Sequence, residues 1–159
     1  MTIKLIGAFC VALAAGGTLR TILIQRRRED RLLQHMAAAL DTMAREIRWK
    51  HSSIPNILEV LEKDAVIGKY FKTIREKLNR KIPLQFLWDN EFSSIEMGQE
   101  VLLNIDFCGD ERQMVSSLER GAESLRKMLE ERKKRKPEQT KLCAAAVLSM
   151  AGGLILLLL

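Results

Sequence analysis

The chain opens and closes on apolar runs, and between them apolar residues recur at steps of three and four. Residues 5–19 contain no charged side chain. After Arg20 and Thr21 come Ile22, Leu23 and Ile24, then Arg26, Arg27 and Arg28. A helix over residues 3–24 rises about 33 Å at roughly 1.5 Å per residue, enough to span a bilayer core. Residues 142–159 are apolar apart from Ser149, at the short end for a second span. In the middle, Leu33, Met36, Leu40, Met43 and Ile47 form one stripe. It continues the first apolar segment and predicts one helix running unbroken to about Lys50. Ser52 or Ser53 is placed to cap a second helix with Pro55 in its first turn, and its stripe is Ile54, Ile57, Leu58 and Leu61. Asp64 is placed to cap a third, carrying Ile67, Tyr70, Phe71, Ile74 and Leu78. Pro83 opens a fourth with Leu84, Leu87, Trp88 and Phe92. A fifth takes Ile95, Val101, Leu102 and Ile105, with Gly109 suited to its end. Asp110 caps a long last helix with Met114, Leu118, Ala122, Leu125 and Leu129, and Pro137 marks a kink or break before the second span. No stretch alternates with a period of two, so the expected fold is all-α: a helical bundle over residues 25–141 between N- and C-terminal transmembrane helices.

Charge orients this arrangement. Every Asp and Glu lies between Glu29 and Glu138, and of 26 Lys and Arg all but Lys4 and Arg20 lie within 25–141. That middle segment has 24 basic against 20 acidic side chains, a net +4, too mild to argue for nucleic acid. Its cations gather at both borders: Arg26, Arg27, Arg28 and Arg31 after the first span, Lys133, Lys134, Arg135, Lys136 and Lys141 before the second. Positive charge is retained on the cytoplasmic side, which makes the middle segment cytoplasmic and the protein a two-pass cell-membrane protein. The same clusters attract anionic lipid headgroups. A signal peptide is the alternative for the N-terminal run, with Lys4 as its basic region and Ala12-Leu13-Ala14 as its cleavage site. The basic cluster directly after the run opposes translocation, and Phe9 before Cys10 departs from a lipoprotein box.

Catalytic chemistry finds little to use. His35 and His51 are the only histidines, sixteen residues apart, and Cys10, Cys108 and Cys143 form no CxxC or Cys/His cluster. No metal site, disulfide framework or cofactor is expected. No glycine-rich phosphate loop of either common type occurs, so the chain is not expected to hydrolyse nucleotide. Ser52 and Ser53 beside His51 suit a helix cap better than a nucleophile. Residues 133–136 abut a span and lack interleaved aromatics, which argues against nucleic acid. Trp49 and Trp88 are more often core or interface residues than cofactor stackers. A bundle fixed to the membrane at both ends, without catalytic groups, delivers a binding free energy: it holds another protein at the membrane.

The order of features resembles the stage III sporulation protein AB family of endospore-forming Firmicutes, over almost the whole length. The resemblance rests on Leu5-Ile6-Gly7 and Gly16-Gly17 in the opening segment and on the Arg-rich, leucine-spaced helix from Arg26 to Ile47. It also rests on the stretch running from Glu46-Ile47-Arg48-Trp49 to Ile54, where Glu46, Ile47 and Trp49 match; Ser53-Ile54 stands where Pro-Leu is usual. Gly109, Asp110 and Gln113 look like the family's turn before the last long helix, at shorter spacing. Ala151-Gly152-Gly153-Leu154-Ile155 looks like its closing membrane helix. The resemblance implies a role in the mother cell during engulfment, within a transenvelope complex joining mother cell and forespore. It also implies a bundle like the cytoplasmic domains of type II secretion F proteins. The implied partners are a cytoplasmic secretion-type ATPase, stage III sporulation protein AA, and other membrane components of that complex.

Two functions from different classes follow. The first is an adaptor that docks the ATPase to the membrane channel, with Glu46, Trp49 and His51 in the contact surface; against it stands local pairing of Glu46 and burial of Trp49. The second is a structural helical hairpin that oligomerises in the membrane, motivated by Gly152-Gly153.

Overall fold

A computed structural model gives the backbone of residues 2–158 apart from 79 and 81, and the side chains of residues 17, 20–22, 24–78, 80, 82–134 and 149. Six helices follow in order: α1 (Thr2–Lys50), α2 (Ile54–Leu61), α3 (Gly68–Leu78), α4 (Leu84–Phe92), α5 (Gln99–Leu103) and α6 (Glu111–Leu158). No strand occurs among the described residues. The chain divides into two compact units, one of residues 1–28 with 131–159, the other of residues 29–130. Among the described residues no helix is long and apolar enough to cross a membrane. Most side chains of residues 3–24 and 142–159, with Cys10, Cys143, Gly152 and Gly153, lie outside the described set.

The unit of residues 29–130 is held by one apolar core. Leu33, Met36, Leu40, Met43 and Ile47 all face it from α1, as their spacing predicts, joined by Ala37 and Ala44. Val115, Leu118, Ala122 and Leu125 meet them from α6. Across the α1–α6 seam Arg48 pairs with Glu119 at 2.8 Å and Arg126 with Asp41. Residues rising along α1 thus pair with residues falling along α6, so the two run antiparallel here. The short helices close the core with an aromatic cluster in which the Trp88 ring lies 4.4 Å from Phe92, 4.8 Å from Phe107 and 6.1 Å from Phe71. Trp88 is fully buried, and its indole N–H donates to the Leu102 carbonyl at 2.8 Å.

Helix starts follow the expected chemistry. Ser53 occupies the N-cap position of α2 with Pro55 in the first turn, but its side chain makes no capping bond. The Asp64 carboxylate accepts from the backbone N–H of Val66 and Ile67 at 2.8 and 3.1 Å, closing the turn that leads into α3. Pro83 precedes α4. Asp110 caps α6 through the Gln113 N–H at 2.7 Å. Two expectations are corrected. The fifth helix does not reach Gly109: α5 covers only Gln99–Leu103, starts after Gly98 in the left-handed region (φ 79°) and stops at Asn104. Gly98 fixes the start, because a Cβ there would meet Leu125 Cδ2 at 2.9 Å and Leu33 Cδ2 at 3.0 Å. Pro137 does not break α6, which stays helical through that position.

Candidate functional site

α1 ends in an unusual turn. His51 has φ 48°, a left-handed conformation that helix ends normally give to glycine or asparagine. Its N–H donates to the Ile47 carbonyl at 3.2 Å, and the Ser52 N–H donates to the Glu46 carbonyl at 3.2 Å. The first bond is the one that terminates a helix on a left-handed residue.

Side chains fix the same turn from two sides. One Glu46 oxygen accepts from Lys50 Nζ at 2.6 Å and the other from Ser52 Oγ at 3.0 Å. The Lys50 bond, with the Ser52 bond next, holds the Glu46 carboxyl below its ordinary range despite partial desolvation. His51 Nδ1 lies 3.1 Å from Glu111 Oε1, tying the turn to the start of α6, and Arg48 reaches Glu119 one level along. Between these anchored residues Trp49 is 76% exposed. It lies two residues beyond Ile47, about 200° round the helix from the buried stripe. Glu46 therefore pairs locally, whereas Trp49 is not packed into the core.

A shallow groove of about 300 Å³ lies beside the turn, lined by Ala38, Asp41, Thr42, Ala44, Arg45 and Glu119. Phe86 (63% exposed) and Val60 (52%) are two further apolar side chains on the surface of this unit. Sequence reasoning passed over both. The signal was there for Phe86, an aromatic residue off the Leu84–Leu87–Trp88 stripe of α4. His35 stands apart from the turn and bonds Asp64 through Nδ1 at 2.7 Å.

The border cations divide by exposure. Arg27, Arg28, Arg31, Lys133 and Lys134 are exposed and Arg26 is half-buried; the side chains of Arg135, Lys136 and Lys141 lie outside the described set. Among the described residues no three His, Cys, Asp or Glu side chains are grouped to hold a metal ion. An exposed indole on a pinned turn is suited to burial against another surface, since such a side chain loses little conformational entropy when covered.

No curated protein and no solved structure matches the chain. The family model for stage III sporulation protein AB matches residues 4–159, nearly the entire sequence that builds both units and the turn between α1 and α2, and the chain therefore belongs to the stage III sporulation protein AB family.

Proposed function

We propose that this sporulation protein is a non-enzymatic, membrane-anchored adaptor of the mother cell–forespore transenvelope complex. In this reading the apolar segments at residues 3–24 and 142–159 lie in the mother-cell membrane that faces the forespore. Residues 29–130 stand in the cytoplasm, as a domain like those of type II secretion F proteins. That domain docks the cytoplasmic ATPase, stage III sporulation protein AA, and holds it beside the membrane components of the channel. Anchoring does the physical work: it confines the ATPase near the membrane and raises its local concentration there.

The observation that carries the reading is Trp49, exposed at 76% on a turn fixed by Glu46, Lys50, Ser52 and His51. Exposing an indole gains nothing for folding, and aromatic anchors in pre-fixed positions dominate protein interfaces. The test is binding of the purified ATPase to the full chain in detergent or nanodiscs. Trp49→Ala should weaken it by at least about tenfold, the scale of an interface anchor, with the melting temperature unchanged. Glu46→Gln, which loosens the turn without removing the indole, should weaken it less. Equal affinity for both variants and the parent chain removes the turn from the docking surface.

A further inference from the structure

The unit formed by residues 1–28 and 131–159 carries a second interaction surface of different chemistry. On α1, Arg20 and Arg27 are seven residues apart, within about 20° of one another round the helix and roughly 10 Å along it. Ile24 lies on the same face between them and is 42% exposed; Arg27 and its neighbour Arg28 are exposed as well. On α6 the same unit presents Lys133 and Lys134, also exposed. Among the described residues, none of these five cations has a carboxylate within ion-pair distance, whereas Arg48 and Arg126 at the α1–α6 seam of the other unit do. Helical side chains lean toward the helix N-terminus, so Arg27 and Arg28 lean back toward the apolar run of residues 5–19. Arg20 sits at the end of that run and is exposed. Exposed cations thus stand before and after an exposed isoleucine on one stretch of α1.

We infer that Arg20, Arg27, Arg28, Lys133 and Lys134 form a binding collar for anionic phospholipid, taking the headgroup phosphodiester while Ile24 meets the acyl chains. The inference rests on the membrane reading above and adds lipid selectivity to it. Phosphate is the complement of an unpaired guanidinium. An acyl chain is the complement of an exposed isoleucine beside it, which favours a lipid over a soluble anion or an acidic protein. Each cation held near a charged membrane surface strengthens the attraction independently of the spans.

The experiment reconstitutes the full chain in bilayers of equal phosphatidylcholine and phosphatidylglycerol and measures the lipid that stays with it on mild detergent extraction at about 0.15 M salt. Phosphatidylglycerol should be enriched at least about threefold in the retained lipid. R27Q/R28Q/K133Q/K134Q should remove that enrichment with helix content unchanged, whereas R45Q/R112Q, which neutralises two exposed cations elsewhere, should keep it. Equal retention of both lipids by the parent chain overturns the collar. So does enrichment that the fourfold variant keeps, or that inorganic phosphate abolishes at millimolar concentration, which would mark a site for free phosphate. Alkaline carbonate extraction of cell membranes is read separately. Release of the chain there defeats the membrane reading, while lipid selectivity in mixed micelles still reports on the collar.

Discussion

The two tryptophans show how far a residue's role can be decided by its position on a helix. Trp88 falls on the Leu84–Leu87–Phe92 stripe and is fully buried; Trp49 falls off the Leu33–Ile47 stripe and stands in solvent. Composition treats them alike, and only the spacing separates them. Single-tryptophan variants should therefore differ: the chain keeping Trp49 is quenched readily by acrylamide, and the chain keeping Trp88 is protected until the protein unfolds. Equal quenching would contradict the burial on which the docking proposal stands. Trp88→Phe removes one donor to the Leu102 carbonyl, which still accepts from the Ile105 N–H at 3.3 Å, so it should cost about 0.5–1.5 kcal/mol in denaturant unfolding, the net worth of one hydrogen bond. The left-handed His51 was not legible in the sequence, because histidine carries no turn signal as strong as glycine's. A non-glycine residue there costs about 1 kcal/mol of strain. His51→Gly should accordingly leave the fold as stable or raise it by up to about that amount, although it gives up the exposed pairing with Glu111. A clear loss of stability would mean that the His51–Glu111 contact outweighs the strain.

At the scale of elements, starts were more legible than stops. Asp64, Pro83 and Asp110 act through their own side chains or rings within three residues, so local sequence suffices. The late start of α5 depends on neighbours distant in sequence, and α6 runs on through Pro137. Gly98 is confined by Leu33 and Leu125, and a proline signal does not outweigh helix on both sides of it. The Asp64 cap makes a pH prediction. Burial pushes its carboxyl up, but the His35 bond and the Val66 and Ile67 N–H groups together outweigh this and leave it below its ordinary value. A carboxyl lowered by folding adds stability that is complete above the unfolded value near 4 and is lost as pH falls through the lower folded value. The gap in unfolding free energy between the parent chain and Asp64→Asn should thus be widest near neutrality and shrink below about pH 4. Asp64→Ala should cost about 1–2 kcal/mol, like loss of other carboxylate caps. A gap that stays constant down to pH 3 would show that the carboxylate charge contributes nothing to the cap.

For the whole molecule, the division at Arg28 and Glu131 separates a self-sufficient core from the apolar ends. The core cluster runs from Leu33 to Leu125, and both seam ion pairs fall inside residues 29–130. All the side chains of that apolar cluster lie within residues 29–130, and about 100 residues is enough for an independent hydrophobic core. Residues 29–130 expressed alone should therefore fold, with strong helical circular dichroism, one cooperative thermal transition and a protected Trp88. Some fraying is expected in the first and last turns, where α1 and α6 have been cut. Hydropathy alone puts the borders at residues 24/25 and 141/142, where apolar residues give way to charged ones, whereas the compact unit is residues 29–130; its extent required the packing. The excised unit also separates the two proposed surfaces. It keeps the Trp49 turn and lacks Arg20, Arg27, Arg28, Lys133 and Lys134, so it should bind the ATPase with solution affinity while showing no preference for phosphatidylglycerol over phosphatidylcholine. Since anchoring contributes through local concentration alone, its affinity in solution should match that of the full chain in nanodiscs to within a few-fold. A folded excised unit that fails to bind would mean that docking needs the apolar ends themselves, and the partner surface would then have to be sought on that unit rather than at the turn.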